Sequence, residues 1–335
     1  MRNEPTLQTP ILSCVSLATG QTVPVPRETV LCLGNFDGVH RGHRALIAEA
    51  AALRNRCFPT AVCGVFCFRE LSADVLLPDP PAHLTTPEER MELFAEAGAE
   101  VVLLADFASI RSWSPEDFVR RVLRGACGCV GAVCGFNYRF GNGAAGTAET
   151  LRELLGAPVT VCPAVMDGEE PVSSTRVRAA LAEGRPRDAA RLLGRPYAVS
   201  GEVRHGKELG RKLGFPTANL NFPPRAVIPR FGVYITDCTV DGSVYRGVTN
   251  VGVHPTVDSP ETPANCETYL LGYGGDLYGK TVRVAFLNFL RPERSFPSES
   301  ALREQIAADA ARAAEFHPTD SGVAAARAVF PEKYS

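Results

Sequence analysis

The chain has 335 residues, of which 45% are hydrophobic and 21% are charged. Its length predicts about two domains of roughly 150 residues each, and its composition is typical of a folded globular protein. Lys and Arg total 35 and Asp and Glu total 37, so the net charge of -2 gives no overall attraction to nucleic acid or to an anionic membrane. We therefore expect any anionic ligand to be bound by a local cluster of basic residues.

The first half of the chain alternates between short apolar runs and stretches of helical composition. The apolar runs are typical of buried parallel strands and cover residues 29–33, 61–68, 101–104 and 130–134. Residues 44–54 have helical composition, and Thr86-Pro87 and Ser114-Pro115 each join a capping residue to proline and acids, which favours a helix start. This alternation predicts a doubly wound parallel sheet, whose ligands bind beyond the carboxyl ends of the strands.

The second half of the chain is richer in Val, Tyr and Thr. Short runs typical of strands, separated by turn signals, cover residues 234–240, 243–251, 266–271 and 281–289. Closely spaced strands of this kind predict an antiparallel β-barrel. Residues 298–314 predict a helix that presents Leu302, Ile306 and Ala310 on one face.

Glycine and proline mark the junction between the two halves. Gly184-Arg185-Pro186 and Leu193-Gly194-Arg195-Pro196 flank a short predicted helix. We predict a first domain at residues 1–184, a linker at 185–198 and a second domain at 199–335. The expected fold class is α/β plus β, with an N-terminal doubly wound parallel sheet and a C-terminal antiparallel barrel that ends in a helix.

The chain contains 11 cysteines, and many of them lie in apolar runs. A buried free cysteine behaves as a small hydrophobic residue. Cys127-Gly128-Cys129 has no matching second pair, so we expect no zinc site. The sequence has no signal-peptide core at residues 1–10 and no long apolar span, and we predict a cytoplasmic protein with reduced thiols.

The run HRGH, from His40 to His43, follows a predicted strand and opens a predicted helix. Two histidines three residues apart can face the same phosphate, Gly42 gives access to the backbone, and the helix N-terminus adds partial positive charge. A second helix start, from Ser173 to Thr175, offers hydroxyls and N–H groups that could bind an anion or simply cap the helix. Phosphoryl-type transfer mainly needs positioning and charge stabilisation, so this chemistry requires no covalent nucleophile.

The run from Gly201 to Asn219 mixes glycines with Arg and Lys and ends in Pro-Thr-Ala-Asn. If its end is extended, Thr217 and Asn219 share a face, and their oxygens can bind a hard cation such as Mg²⁺. The glycines let a backbone approach phosphates, and the basic residues supply charge. The alternative is a polar hairpin loop closed by a Pro-Thr turn, and the residues alone leave both interpretations open.

Several motifs together resemble one bacterial enzyme family. They are GNFDGVHRGH from Gly34 to His43, LGFPTAN ending at Asn219, a GVY strand start, ETYLL from Glu267, and DLYG. Over nearly the whole chain they resemble the bifunctional riboflavin kinase/FMN adenylyltransferases, or FAD synthetases. The resemblance implies that the C-terminal barrel phosphorylates riboflavin with ATP to FMN. It implies that the N-terminal nucleotidylyl transferase domain adenylylates FMN with ATP to FAD and pyrophosphate, and that both steps use Mg²⁺.

The resemblance also implies roles for residues of the adenylyltransferase half. His40 and His43 match the catalytic histidines that contact the ATP phosphates, and Phe140 matches an aromatic residue that packs near the flavin. The positions that bind the departing β- and γ-phosphates are matched by Ser174, Thr175 and Arg178. The other residues implied in ATP binding are Gly34, Asn35, Asp37, Gly42 and Asn137.

In the kinase half, Glu267 matches the base that accepts the proton of the ribityl 5′-hydroxyl. Thr217 and Asn219 match the residues that hold Mg²⁺ and order the phosphates. Arg291 matches an arginine near the flavin site. The loop residues implied in ATP binding are Gly206, Lys207 and Gly214.

The chain departs from the family pattern at several places. Residues 66–70 read FCFRE where the family has an acidic-Pro pattern, and Pro171 precedes the Ser-Ser-Thr motif where a basic residue is usual. These two departures concern the FMN contacts more than ATP binding. In the kinase half, His254 replaces the arginine of an Arg-Pro-Thr motif, and Gly272-Tyr273 stands where an acid and an aromatic residue are common.

Three alternative functions are weighed against the bifunctional enzyme. The departures in the N-terminal half would fit a riboflavin kinase with a degenerate, weakly active adenylyltransferase domain. A non-catalytic flavin or nucleotide sensor has little need of a base and metal ligands, and the barrel motifs disfavour a cytidylyl or pantetheine-type transferase with an appended domain. The expected partners are ATP, riboflavin and FMN, without nucleic acid or membrane, and the sequence leaves the oligomeric state unknown.

Overall fold

The computed structural model of the chain describes residues 11–15, 28–204, 210, 214–253 and 264–317. The chain divides into two compact units, residues 1–81 with 85–172, and residues 82–84 with 173–335. The boundary between residues 172 and 173 separates two groups of residues that contact mainly members of their own group. The placing of the domain boundary at residue 184 and of a linker at 185–198 stays a prediction.

The first unit is built on a six-stranded parallel sheet. Its strands are β1 (Ile11–Val15), β2 (Thr29–Leu33), β3 (Val62–Phe68), β4 (Val101–Ala105), β5 (Cys129–Gly135) and β6 (Val159–Cys162). They lie in the order β1-β4-β3-β2-β5-β6, and each neighbouring pair is parallel. The chain runs outward from β2 in one direction and from β5 in the other, so the loops after β2 and β5 flank the point where such sheets bind ligands. The predicted doubly wound sheet is confirmed.

Helices cover both faces of this sheet. They are α1 (Arg41–Cys57), α2 (Ser72–Leu76), α3 (Pro87–Glu96), α4 (Phe107–Ile110), α5 (Pro115–Asp117), which continues as a π-helix over Phe118–Ala126, and α6 (Ala148–Leu155). Both predicted helix starts are confirmed, because Thr86 Oγ1 accepts from the Glu89 N–H at 3.2 Å and Ser114 Oγ accepts from the Asp117 N–H at 3.1 Å. A small hairpin of β7 (Met166–Asp167) and β8 (Glu170–Pro171) follows β6.

The strands of the parallel sheet point alternate side chains to two separate core layers. Leu31 and Leu33 pack with residues of the π-helix and α6, whereas Val30 and Cys32 pack with residues of α1 and α3. Strands buried on both faces read as continuous apolar runs, which is why the sequence predicts β2, β3, β4 and β5. It does not predict β6, whose residues are only half-buried.

The second unit is built on a six-stranded antiparallel sheet. Its strands are β9 (Tyr197–Glu202), β10 (Thr217–Asn221), β11 (Gly232–Val240), β12 (Ser243–Val253), β13 (Ala264–Leu270) and β14 (Thr281–Arg291). They lie in the order β10-β13-β12-β11-β14-β9. The sheet curls until its edges meet, where the Arg204 N–H donates to the Asn219 carbonyl at 3.0 Å. The predicted antiparallel barrel is confirmed; the sequence does not predict β9 and β10, because Ser, Gly and Asn dilute their apolar pattern.

The inside of this barrel contains a row of threonines. The Oγ1 atoms of Thr236 and Thr249 lie 2.8 Å apart, as do those of Thr249 and Thr268, and all three residues are fully buried. The hydroxyls thereby satisfy one another away from water.

Three helices of the second unit have bounds within the described residues: α7 (Ser174–Ala182), α8 (Pro186–Leu193) and α9 (Glu299–Glu315). Ala190 of α8 and Ala313 of α9 pack in one apolar cluster on the outer face of the barrel with Val233, Ile235 and Leu287. The predicted C-terminal helix is confirmed. None of the helices within the described ranges is both long and apolar enough to cross a membrane.

Candidate active sites

The HRGH run opens α1, as the sequence predicts. His40 is the N-cap of α1, and its Nδ1 accepts a hydrogen bond from the backbone N–H of His43 at 3.3 Å. The two imidazole rings stack with centroids 3.6 Å apart and an angle of 13° between their planes. Because Nδ1 accepts this bond, a neutral His40 carries its proton on Nε2, the nitrogen that can donate to a phosphate oxygen.

The loop between β2 and α1 has a strained backbone. Phe36 and Val39 have φ angles of 57° and 40°, in the left-handed region. A β-branched residue rarely adopts that conformation, and such strain concentrates at functional loops. Asp37 is buried in this loop within 3.5 Å of the Thr85 hydroxyl, and Asn35 is exposed.

Gly34 and Gly42, both predicted to bind ATP, each lie against the ring of a neighbouring side chain, where a larger residue would be crowded. A Cβ on Gly42 would lie 3.1 Å from Cε1 of His40, and a Cβ on Gly34 would lie 3.2 Å from the ring of Phe36. A side chain at either position would therefore press on the ring that shapes the loop. The ATP contacts of Gly34, Asn35, Asp37 and Gly42 stay predictions.

The loop after β5 holds the predicted Asn137 and Phe140. Asn137 is exposed at the carboxyl end of the strand. Phe140 is buried, with its ring centroid 5.5 Å from that of Phe118, so it belongs to the core of the first unit. The exposed aromatic residue at this strand end is instead Phe136, which is 58% exposed and which the sequence analysis does not single out. The flavin contact of Phe140 stays a prediction.

Ser174, Thr175 and Arg178 lie in α7, within the second unit. The capping role falls to Ser173, whose hydroxyl accepts from the Arg176 N–H at 3.3 Å. The Arg178 Nε donates to the Ala82 carbonyl at 2.6 Å. Ser173 is the N-cap of the helix, and the phosphate contacts of Ser174, Thr175 and Arg178 stay predictions.

In the barrel, β10 places Thr217 and Asn219 two residues apart on one face, as predicted. The Oδ1 atom of Asn219 is buried and has no hydrogen-bond partner among the described residues. A buried acceptor without a donor is unusual in a folded protein, and a cation would satisfy it. The hydroxyl of Thr217 and the amide oxygen of Asn219 are the hard oxygen ligands that Mg²⁺ prefers.

Metal clusters of another kind are not found in the described ranges: no three His, Cys, Asp or Glu side chains there are grouped so that they could hold an ion. Mg²⁺ is usually held by few protein ligands together with substrate phosphates and water. The donor set of β10 is therefore compatible with such an ion.

Glu267 lies at the centre of this face of the barrel. It is paired in register with Asn219 of β10 on one side and with Asn250 of β12 on the other. Residues directly opposite in such pairs have Cβ atoms about 4.5–5.5 Å apart, so the carboxylate lies beside both amides. Asn250 was not predicted from the sequence. Successive residues of a strand point to opposite faces, so the apolar neighbour Val251, which is buried, could have placed Asn250 on the polar face.

Asn250 also connects this face to a second carboxylate. Its Nδ2 donates to Oε1 of Glu293 at 2.9 Å, and a Cβ on Gly252 would lie 2.3 Å from the same oxygen. Glu293 therefore lies close over β12, two residues from the end of β14.

The remaining kinase predictions have different outcomes. Gly206 and Lys207 lie outside the described residues. Gly214 has a φ of 87° in the turn before β10, a conformation that favours glycine. Arg291 donates from Nε to the buried Asp309 carboxylate of α9 at 2.9 Å, with Nη2 at 2.8 Å. Its flavin contact stays a prediction, while its observed role is to join β14 to α9.

Comparison with known proteins matches both halves of the chain. The FAD synthetase family model matches residues 23–176 and the riboflavin kinase family model matches residues 193–317. A protein of Pseudomonas fluorescens named bifunctional riboflavin kinase/FMN adenylyltransferase is 38% identical to this chain. The match covers 87% of this chain and 93% of the relative. The relative from Bacillus subtilis is 34% identical over 84% of this chain and 90% of its own length.

One solved structure, titled as a macrolide-efflux protein from Streptococcus pneumoniae, is also similar to this chain. It is 32% identical, has a TM-score of 0.83, and the match covers 91% of this chain and 99% of that one. The shared architecture therefore extends over both units. Given the two family matches and the relatives that span most of its length, the chain belongs to the family of bifunctional riboflavin kinase/FMN adenylyltransferases.

Proposed function

We propose that this chain makes FAD from riboflavin in two steps, each of which uses one ATP. The kinase step gives FMN and ADP, and the adenylyltransferase step gives FAD and pyrophosphate. The observation that carries this proposal is the match of the two halves to two enzyme families, at residues 193–317 and 23–176. The names of the relatives include both activities. They therefore favour the two-step enzyme over a kinase with a degenerate N-terminal half and over a sensor.

In the kinase step, the ribityl 5′-oxygen attacks the γ-phosphorus while the bond to the ADP oxygen breaks. Glu267 accepts the proton of that hydroxyl. Thr217 and Asn219 hold the cation, which we propose to be Mg²⁺ and which offsets the charge of the phosphate oxygens when bound. The register of Glu267 opposite Asn219 and the unpartnered Oδ1 of Asn219 support this assignment.

In the adenylyltransferase step, an oxygen of the FMN phosphate attacks the α-phosphorus of ATP and the bond to pyrophosphate breaks. His40 and His43 bind phosphate oxygens and stabilise the negative charge that develops on them. Their stacked rings at the N-terminus of α1 support this role, since helix N–H groups and imidazole donors converge there. No group of the protein forms a bond to phosphorus in this scheme.

The proposal includes ATP, riboflavin and FMN as the small-molecule partners. We also propose a cytoplasmic location, where free thiols stay reduced. Cysteines such as Cys32 and Cys134, buried and free in the core of the first unit, support this assignment.

A chromatographic assay tests the proposed function. The purified full chain is incubated with ATP and Mg²⁺, once with riboflavin and once with FMN, and the flavins are separated. FAD from both substrates is the expected result. FMN from riboflavin without FAD from either substrate would reduce the protein to a kinase, and no product at all would favour a sensor.

A further inference from the structure

The guanidinium of Arg90 joins the two loops that follow β2 and β3. Its Nη2 donates to the carbonyls of Phe68 and Arg69, each at 3.0 Å, and its Nη1 donates to the carbonyl of Asn35 at 3.4 Å. Arg90 is 4% exposed. One side chain thus spans two adjacent strand ends at the edge of the sheet where the HRGH loop begins.

The charge of Arg90 is not neutralised by a carboxylate. The guanidinium forms no ion pair with any Asp or Glu of the described residues. Its Nε is also buried without a hydrogen-bond partner in those ranges. Burying such a cation is costly, and three backbone carbonyls offset the cost only in part. A fixed positive charge therefore lies at the carboxyl edge of the sheet.

Two more contacts from the same segment brace the loop before α1. The Gly38 N–H donates to Oγ1 of Thr85 at 3.2 Å, just before α3 begins. The ring of Phe94 meets that of Phe36 edge-on at 5.4 Å, and Phe36 lies 5.1 Å from His43. Thr85, just before α3, and Phe94, in its last turn, therefore hold the strained loop on which the two histidines depend.

We propose that Arg90 is a positioning residue for the adenylyl-transfer reaction. Its guanidinium sets the distance between the loop after β2 and the FCFRE stretch at the end of β3, and so fixes the HRGH loop in its strained form. Its charge also makes the strand ends favourable for phosphate anions. The inference rests on the proposed adenylyltransferase activity of the first unit and adds a residue that contacts neither histidine.

The test compares Arg90→Gln, Arg90→Lys and Arg90→Ala with the unmutated full chain. FAD formation from FMN is measured over a range of FMN and ATP concentrations, and FMN formation from riboflavin by the same samples serves as an internal control. We expect Arg90→Gln to lower kcat for FAD formation by roughly 100-fold, because small misplacements of reacting groups have effects of that size. FMN formation should change by less than about twofold, since the three hydrogen bonds of Arg90 all go to residues of the first unit.

Two further measurements distinguish a positioning role of Arg90 from a role in stability alone: the activity of a conservative variant, and rescue of a truncated variant by free guanidinium. Arg90→Lys keeps the charge and can reach a carbonyl, so its kcat should fall between those of the unmutated chain and Arg90→Gln. Millimolar guanidinium chloride, matched against sodium chloride, should restore part of the activity of Arg90→Ala with saturation.

Arg54→Gln is the matched control. Arg54 is a partly buried arginine of the same unit, 3.6 Å from Glu100, whose carboxylate accepts from the Cys63 N–H at the amino-terminal end of β3. This variant should leave kcat for FAD formation unchanged even if it lowers thermal stability.

Three results would overturn the inference. An Arg90→Gln protein that is active at the level of the unmutated chain would do so. The inference would also fail if FAD formation fell in proportion to thermal stability across the Arg90 and Arg54 variants and guanidinium did not restore the activity of Arg90→Ala. Failure of the unmutated chain to form FAD from FMN would overturn the proposed adenylyltransferase function as well, which distinguishes that failure from the other two.

Discussion

Asn219 of β10 lies directly opposite Glu267 of β13, so the proposed metal ligand and the proposed base are held by one backbone ladder. Asn250 of β12 lies on the other side of Glu267. Strand registers of this kind are set by the whole sheet, and their side chains keep their spacing without help from a loop. Conservative substitutions on this face should therefore alter chemistry without altering the fold.

Glu267→Gln should greatly slow FMN formation and spare FAD formation from supplied FMN. The amide cannot accept the hydroxyl proton, and loss of a general base lowers kcat by about 10²–10⁴-fold. The measurement is the flavin assay with each substrate in turn. Glu202→Gln, at the exposed end of β9, is the control and should retain both activities. Loss of both activities in a folded Glu267→Gln protein would contradict separate sites.

Asn219→Ala should raise the Mg²⁺ concentration needed for half-maximal kinase activity by about tenfold or more. The buried Oδ1 is removed, and one hard oxygen ligand is lost. Asn219→Asp keeps an oxygen and should need less Mg²⁺ than the alanine variant. A Mg²⁺ titration of FMN formation measures this, with Asn221→Ala, an exposed asparagine of the same strand, as the control. An unchanged titration curve would remove Asn219 from the metal site.

His43→Ala should lower FAD formation by roughly 10²–10³-fold and leave FMN formation intact. The imidazole stacked on His40 is removed, and with it a donor to the phosphates. His317→Ala removes an exposed histidine near the end of the described chain and should change neither rate. Equal rates of FAD formation in the His43→Ala and unmutated proteins would disprove the role of the HRGH run.

Arg291→Met should destabilise the second unit by about 3–5 kcal/mol, because it leaves the carboxylate of Asp309 buried without its cation. Asp309 is 1% exposed and also accepts from Gln305 Nε2 at 2.8 Å. The double variant Arg291→Met with Asp309→Leu should recover much of that loss, since an apolar pair can replace a buried ion pair. Thermal melts of the single variant, the double variant and the unmutated chain measure this. Unchanged stability with weaker riboflavin binding would support the predicted flavin contact instead.

Alkylation should distinguish the buried thiols of the first unit from the exposed one. Burial raises the pKa of Cys63 to about 11 and that of Cys67 to about 11, whereas Cys57 is exposed. At pH 8 iodoacetamide should label Cys57 and leave Cys63 and Cys67 thiols intact until the chain is denatured, as mass spectrometry would report. Fast labelling of Cys67 in the native protein would contradict its burial.

The same shifts predict how stability changes with pH. The folded pKa values of Cys63 and Cys67 lie above the ordinary value of 9.0, so their contribution to stability is complete below about pH 9 and is lost as the pH rises towards about 11. Replacing both by Ala should make the unfolding free energy fall less steeply over that window.

Local signals were sufficient for much of the fold. The capping residues Thr86 and Ser114 begin helices where the sequence predicts, because a cap depends on atoms three residues away. The π-helix after α5 and the strands β9 and β10 were not predictable in this way. Their pairing and burial depend on partners far away in the chain, and their own composition is ambiguous.

By itself, the sequence determined four strands of each sheet, the C-terminal helix, the motifs and the family that they resemble. These depend on short-range periodicity and on residue types at fixed spacing. Only the tertiary structure decided that Glu267 lies between Asn219 and Asn250, that Arg291 is joined to Asp309 and that Arg90 binds the ends of two strands. Strand register and burial set these contacts, and both arise from the packing of segments that are distant in the chain.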